Sequence, residues 1–497
     1  MASSEFLLAL DQGTTSTRAI LLDHLAKPLF TAQQELKQSF PADGWVEHDP
    51  TEIWQTSLKL CADVLKQAKL PPHSKIVMGI TNQRETTILW DKKSGKAFYP
   101  AIVWQDRRTA DFCHTLIEKG WSEKIQQKTG LLIDPYFSAT KIRWFLDHVE
   151  GLREKAKKGL VAFGTIDSFL LWHLTGGKIH ATDPTNASRT SLYNIHDHQW
   201  DQELLALFNI PAGLLPEVRP SSGTFGVTQT GLFDRQIAIT GMAGDQQAAL
   251  IGQACFQPGM IKSTYGTGCF MLMNTGENAV TSQHRLLTTI GYQTKNHLAY
   301  ATEGSIFVAG AAIQWLRDGL KLIGAAGETE RLAASTSSNK GVYFVPAFTG
   351  LGAPYWDPRA RGAVFGLTRD VGIAEIVRSA LEAVCYQTKD LLETMRLDGA
   401  YEPQILRVDG GMTVNDWLMQ FLANILGVPV ERPQITETTA LGAAYLAGLG
   451  AGFFADFAEI SHLWKSQRLF EPKMAADQRL ALYAGWQEAV NRIRSMT

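Results

Sequence analysis

The chain opens on short apolar runs separated by polar turns. F-L-L-A-L-D-Q-G is followed by T-T-S-T-R-A-I-L-L-D and, after H-L-A-K, by P-L-F-T-A-Q-Q-E-L. Runs of this length with tight turns predict three strands of an antiparallel meander. Beyond Pro50 the apolar spacing becomes helical in I-W-Q-T-S-L-K-L-C-A-D-V-L, then returns to a strand in K-I-V-M-G-I, and mixed α and β segments alternate to about residue 252. The opening pattern then recurs. Pro258-Gly259 leads into M-I-K-S-T-Y-G-T-G-C-F-M-L-M-N-T, a strand, a Gly/Thr turn and a strand, with L-L-T-T-I-G-Y and L-A-Y-A-T-E-G as the next strands and a helix at A-G-A-A-I-Q-W-L. D-Q-G-T-T near residue 11 and Y-G-T-G near residue 266 thus take equivalent places in two halves. A boundary at Gln253–Pro258, giving domains 1–253 and 254–497, places a cleft between them.

Composition narrows the picture. At 497 residues, 45% hydrophobic and 19% charged, the chain is globular with ample apolar mass to bury, which excludes disorder, collagen and coiled coil. A net charge of −2 supplies no field for nucleic acid or an anionic membrane. Five cysteines (61, 113, 255, 269, 385) form no C-x-x-C pair and are odd in number, which argues against a disulfide framework or zinc site and fits a reducing compartment. M-A-S-S-E-F-L-L-A-L-D has no basic region before its apolar run, so no signal peptide is expected and the location reads as cytoplasmic. The basic run Arg153–Lys158 reads as a solvated helix end. Thr438 to Ala455 carries no charge, and reads as a packed core helix with a glycine stop rather than a membrane span.

Several chemistries lack their motifs. There is no G-x-x-x-x-G-K-[ST], no G-x-S-x-G, no H-E-x-x-H, no H-R-D and no strand–G-x-G-x-x-G–helix, which removes support for P-loop ATPases, α/β-type serine hydrolases, zincins, protein kinases and Rossmann dehydrogenases. Two polar hairpins able to hold phosphates remain. Gly13-Thr14-Thr15-Ser16 offers backbone N–H groups and hydroxyls without bulky side chains, Arg18 follows on the next strand, and Gly266-Thr267-Gly268 offers the same from the other half. Asp11 at the strand end supplies a hard oxygen for Mg²⁺. Taken singly, each turn is also an ordinary hairpin. In L-R-V-D-G-G-M-T-V-N-D, Gly410 and Gly411 would let a base or ribose approach, Asn415 could hydrogen-bond it, and Asp416 reads as a helix cap. Asp245 precedes A-A-L-I-G-Q-A-C as an N-cap. A carboxylate at a helix start is kept ionised and, beside a cleft, can accept a hydroxyl proton. Arg84 and Glu85 are consecutive at a strand end, so both can face one ligand only if the strand has already turned; a surface ion pair is the alternative.

These stretches carry a resemblance. L-D-Q-G-T-T-S-T-R-A, G-I-T-N-Q-R-E-T-T, I-V-W-Q-D-R-R-T, I-D-P-Y-F-S-A-T-K-I-R-W, T-D-P-T-N-A-S-R-T, G-M-A-G-D-Q-Q-A-A-L, T-Y-G-T-G-C-F-M-L-M-N-T-G and V-P-A-F-T-G-L-G-A-P-Y-W-D-P resemble the carbohydrate kinases that share the actin and heat-shock-chaperone ATPase fold, and within them the glycerol-using branch, over residues 5 to 455. The resemblance implies an α/β fold of two actin-like domains, each a mixed sheet with flanking helices, around a central cleft. It implies a polyol site at Arg84, Glu85, Trp104, Tyr136, Asp245, Gln246 and Phe270, with Asp245 as general base. It implies an ATP site at Thr14, Thr15, Ser16, Arg18, Thr267, Gly310, Gln314, Gly411 and Asn415, with Asp11 near Mg²⁺. Domain closure and a homodimer or homotetramer are further implications, with glycerol as the partner, no nucleic acid and no membrane span. Many bacterial members carry a Gly-Gly-Arg loop for fructose 1,6-bisphosphate, and some a phosphorylated His. Leu232-Phe233-Asp234-Arg235 does not match the loop and no match for the His is found, so neither form of regulation is carried over. A kinase of another polyol or sugar, and a non-catalytic nucleotide switch, are the rival readings.

Overall fold

The computed structural model describes residues 5–357, 359–399 and 401–495. Residues 1–4 of the N-terminal segment and Pro358, the end of the V-P-A-F-T-G-L-G-A-P-Y-W-D-P stretch, lie outside them. The predicted meander forms: β1 (Glu5–Gln12), β2 (Ser16–Asp23) and β3 (Pro28–Glu35) pair antiparallel in sequence order. Helix α1 (Pro50–Ala68) begins where Asp49 accepts the Thr51 N–H and Pro50 pre-sets the first turn. β4 (Lys75–Asn82) joins β1 in parallel, and β5 (Ser222–Val227) and β6 (Ala238–Gly244) complete a six-stranded sheet in the order β5-β6-β4-β1-β2-β3. Helix α2 (Asp245–Gly252) leaves the end of β6.

The second half repeats this plan. β7 (Ile261–Tyr265), β8 (Cys269–Gly276), β9 (Leu287–Gln293) and β10 (Leu298–Ile306) precede helices α3 (Gly310–Asp318) and α4 (Ile373–Leu397). β11 (Leu406–Asp409), helix α5 (Asp416–Leu426), β12 (Val430–Pro433), helix α6 (Thr438–Ala451) and β13 (Ser466–Phe470) follow. The sheet order is β9-β10-β8-β7-β11-β12-β13. Read from the other end it matches the first sheet strand for strand: an antiparallel edge, two parallel neighbours, the central strand, then two antiparallel strands. One detail departs from the order along the chain. The place of β3 is taken by β10, which pairs with β8, while the earlier β9 lies outside it.

The two halves share a core. One face of the first sheet is covered by α1 and by Phe169, Leu170 and Leu171. The other face packs Leu7, Ala9 and Val77 against Ala440, Leu441 and Ala444 of α6, a helix from the second half of the chain. In α6 ten of fourteen residues are buried, as a helix that is apolar all round requires. It lies very close to its neighbours. A Cβ on Gly442 would stand 1.8 Å from the Ala248 carbonyl oxygen of α2, one on Gly252 would stand 1.9 Å from that of Thr438, and one on Gly79 would stand 2.0 Å from that of Ala443. Thr438–Ala451 is therefore core, and no helix among the described residues is long and apolar enough to cross a membrane. The charged run at 153–158 is a short helix, Leu152–Lys157, with Lys157 and Lys158 exposed.

Candidate active site

The strand β4 ends at Asn82 and the chain bends at Arg84–Glu85, where Glu85 takes a left-handed backbone with φ +60°, so the strand alternation no longer holds for this pair. Both side chains are consequently buried in one cluster. Arg84 Nη1 and Nη2 donate to the two carboxylate oxygens of Glu303 at 2.5 and 3.2 Å, Nη1 donates to Gln247 Oε1 at 3.2 Å, and Nη2 donates to the Tyr136 hydroxyl at 3.3 Å. Its Nε lies 3.2 Å from Asp245 Oδ1. Arg189 Nε donates to Glu85 Oε1 at 2.6 Å and its Nη2 to Glu303 Oε1 at 2.9 Å. Two guanidiniums and two carboxylates thus balance with every carboxylate engaged, the condition under which burying such charges is tolerated. Burial alone would raise Glu303, but Arg189 and Arg84 overcome it and hold the carboxyl down at about 2.

Aromatic rings wall this cluster. The Trp104 ring lies 5.5 Å from that of Tyr136 and 6.2 Å from that of Phe270, and the Arg84 guanidinium lies 5.9 Å from the Phe270 centroid. Asp245 keeps 27% of its side chain exposed, whereas Arg84, Glu85 and Glu303 keep 2% or less. The carboxylate therefore borders open space while its support is sealed. Asp245 is the first helical residue of α2, with Gly244 as the cap, not the N-cap expected from the pattern; its Oδ1 accepts the Gln246 N–H at 2.7 Å. Gln246 Oε1 in turn accepts from the buried Lys262 Nζ at 2.5 Å. Burial raises the Asp245 carboxyl, with Arg84 and Lys262 opposing.

Both hairpins form as expected. Gly13 N–H donates to the Ser16 carbonyl at 2.9 Å, and Trp104 Nε1 donates to Thr14 Oγ1 at 2.8 Å, tying the first turn to the aromatic wall. Thr15 holds the following strand through its carbonyl, which accepts Leu36 N–H at 2.9 Å, and Ser16 Oγ accepts from Gln33 Nε2 at 3.1 Å. Asp11 stands opposite Arg18 across the hairpin. Its carboxyl is pushed up to about 7, by burial first, against the pull of Arg18 and with the Asp245 charge adding to the rise. A carboxylate at the hairpin end suits a divalent cation, which takes one or two carboxylates and completes its shell with phosphate and water. Among the described residues no group of three or more His, Cys, Asp and Glu forms a metal cage, so Asp11 would need the phosphates as co-ligands. The Arg18 guanidinium is not free: Gln33 Oε1 accepts from it at 2.9 and 3.2 Å, and it is ion-paired with Glu437 of the other half.

In the second hairpin the Thr267 carbonyl accepts the Ala309 and Ala311 N–H groups at 2.9 and 3.0 Å, and Gly266 accepts that of Gly310 at 3.0 Å. The turn is thereby clamped to the start of α3. Gly410 has φ +92° and its added Cβ would stand 2.4 Å from the Tyr265 carbonyl, so only glycine lets this turn lie against the hairpin. Between them is a cavity of about 290 Å³ lined by Thr267, Gly310, Gln314, Gly411 and Asn415, all five expected, by Met412 of the same glycine turn, and by Gly327 and Thr329, which no sequence motif marks. The roles of Asn415 and Asp416 are exchanged relative to expectation: Asn415 caps α5 by accepting the Leu418 N–H at 2.8 Å, and Asp416 is the first helical residue.

Glu303, Arg189, Gln247 and Lys262 likewise fall outside the residues expected from the sequence. Glu303 and Lys262 are the charged residues of otherwise uncharged, largely buried strands, and that burial conflict is the signal that would have found them. In the unmatched loop, Arg235 pairs with its neighbour Asp234 at 3.1 Å and donates to the Pro71 carbonyl at 3.1 Å, so its charge is already engaged.

Comparison with known proteins fits this geometry. The model of the FGGY family of carbohydrate kinases, N-terminal domain, matches residues 6–252, and that of the C-terminal domain matches residues 261–451. Glycerol kinase 1 of Pseudomonas aeruginosa is 62% identical over 492 residues, 99% of each chain. The crystal structure of Plasmodium falciparum glycerol kinase with ADP superposes with a TM-score of 0.94 at 37% identity over 100% of both chains. A ligand-bound xylulose kinase from Lactobacillus acidophilus, at 22% identity and a TM-score of 0.88 over 98% of both chains, shares the fold.

Proposed function

The chain belongs to the FGGY family of carbohydrate kinases, and from that premise we propose that its cleft phosphorylates glycerol. The reaction transfers the terminal phosphoryl group of ATP to a primary hydroxyl, giving sn-glycerol 3-phosphate and ADP. One observation carries the reading: Asp245 stands part-exposed beside the Arg84 guanidinium at 3.2 Å, and Trp104 of the aromatic wall around that cluster donates to Thr14 of the first phosphate hairpin at 2.8 Å. That brings a proton acceptor, a hydroxyl-binding cluster and a phosphate turn to one place.

Glycerol has three hydroxyls and an apolar edge. Arg84, Glu85, Asp245 and Gln246 supply the polar wall for the hydroxyls, with Asp245 at the open side and Arg84 and Glu85 behind it, while Trp104, Tyr136 and Phe270 line the carbons. A site that bonds each hydroxyl penalises an analogue lacking one, and the aromatic wall crowds longer sugars. ATP enters with its adenosine in the cavity beside Gly310, Gln314, Gly411 and Asn415, and its phosphates between Thr14, Thr15, Ser16 and Arg18 on one side and Thr267 on the other. Mg²⁺, held through Asp11, would neutralise charge on the transferring group. Asp245 accepts the hydroxyl proton. Because the transition state of phosphoryl transfer is largely dissociative, alignment contributes more than the strength of the base. The reading takes residues 1–253 and 254–497 as the closing domains, each holding one of the two repeated sheets, together with a cytoplasmic location and a homo-oligomer.

The experiment is a glycerol-dependent ADP-release assay with a panel of polyols and sugars at fixed ATP. Activity on glycerol well above that on xylulose or erythritol supports the reading, and ADP release indifferent to every polyol refutes it. A nucleotide switch needs no polyol pocket, so the aromatic-walled cluster around Arg84 speaks against that rival. Arg84→Ala removes a charged hydrogen-bond partner, an effect of about 1.5–3 kcal/mol. The apparent glycerol affinity is expected to fall about 10- to 100-fold with that for ATP kept; unchanged glycerol affinity in steady-state kinetics would contradict the placement.

A further inference from the structure

Glu303 lies on β10 of the second half, yet both of its carboxylate oxygens are spent on guanidiniums from the first half. It accepts from Arg84 at 2.5 and 3.2 Å and from Arg189 at 2.9 Å, and 1% of its side chain is exposed. A planar carboxylate meeting a guanidinium through both oxygens fixes the plane and the roll of that guanidinium. With Nη1 and Nη2 held by Glu303, the Nε edge is the one left to face Asp245, at 3.2 Å. Arg189 uses Nη2 on Glu303 and Nε on Glu85 at 2.6 Å, so the same carboxylate also sets where Glu85 stands.

We propose that Glu303 is the positioning residue of the polyol site: through Arg84 and Arg189 it fixes the roll of the Arg84 guanidinium and the stance of Glu85, so that Arg84 meets Asp245 through its Nε edge alone, at 3.2 Å. The inference rests on the glycerol reading above and adds a residue to it. Arg84, Arg189 and Lys262 face Glu85, Glu303 and Asp245, with Asp11 beyond. Removing the Glu303 charge leaves Asp245, already 3.2 Å from Nε, as the nearest anion to Arg84, with Glu85 at 3.8 Å held by Arg189. The guanidinium then rotates towards the base, away from the hydroxyls, and a displacement of about 1 Å at such a point costs about 100-fold.

The test is Glu303→Gln in the full chain, with glycerol and ATP varied separately and the rate followed over pH. The kcat/KM for glycerol is expected to fall about 100-fold, while the KM for ATP stays within about twofold. The acid limb of kcat moves to lower pH, because Asp245 loses an anionic neighbour and keeps Arg84 and Lys262. Glu303→Asp, which keeps the charge, recovers part of the loss. A glycerol kcat/KM close to wild type overturns the proposal, as does a loss shared equally by glycerol and ATP with the acid limb unmoved. Should Glu303→Gln fail to fold, Arg189→Lys is compared in the same way: a loss confined to glycerol supports the proposal, and one shared equally with ATP overturns it. A wild-type enzyme that ignores glycerol would instead overturn the functional reading, and the wild-type control reports that separately.

Discussion

Asp245→Asn should lower turnover by about a thousandfold while glycerol still binds. The substitution is isosteric, and the amide oxygen keeps the acceptor role towards the Gln246 N–H, now at 2.7 Å. Arg84 loses one anion but retains Glu303 through two hydrogen bonds, so the hydroxyl-binding cluster survives. What disappears is the group that takes the proton when the hydroxyl oxygen bonds to phosphorus. Neither Glu85 nor Glu303 can take over that role, since both are sealed and engaged by guanidiniums. The measurement is a single-turnover rate together with glycerol affinity by calorimetry. Near-normal turnover would remove Asp245 as the base, and lost affinity with lost turnover would make it a binding residue only.

Gly442→Ala should destabilise the protein by about 3 kcal/mol or more, the range reached when a tight core is overpacked. Alanine is the better helix former by about 1 kcal/mol, so propensity alone predicts a gain. Sterics reverse the sign. The new methyl would stand 1.8 Å from the Ala248 carbonyl oxygen and 3.0 Å from the Gly252 amide nitrogen, both backbone atoms of the facing helix with no rotamer to relieve the clash. Gly213→Ala is the control, since nothing lies within 4 Å of its added Cβ. Urea unfolding of both variants should show a lowered midpoint for the first and little change for the second. A Gly442→Ala midpoint equal to that of wild type would show that the two helices have room to part.

Much of this is legible in the sequence for local reasons. Strand–turn–strand runs with glycine at the turn mark both hairpins, and of the five expected residues lining the second-half cavity, four sit at glycine-bearing turns or a helix start and Gln314 lies one turn into α3. The turn needed to aim Arg84 and Glu85 together is a requirement the sequence states, and Glu85 meets it at φ +60°. The illegible part is non-local. Arg189 and Glu303 are 114 positions apart and Arg84 and Glu303 are 219 apart, so no spacing rule connects them. Only the oddity of a carboxylate amid L-A-Y-A-T-E-G points to a buried partner. The expected caps differ from the observed ones by one residue at both Asp245 and Asn415, because Asp, Asn and Gly are all good caps and the pattern alone does not rank adjacent candidates. Likewise β9 and β10 are equally good strands, and which one lies next to β8 depends on tertiary pairing.

Helix α6 belongs to one half by chain order and to the other by packing, where Leu441 and Ala444 complete the floor beneath Leu7, Ala9 and Val77. A polypeptide severed near residue 253 would therefore give an amino-terminal piece with a bare hydrophobic face and a carboxyl-terminal piece carrying its missing lining. The halves are thus expected to melt as one cooperative unit, since the apolar face of the first sheet is completed only by a helix of the second half.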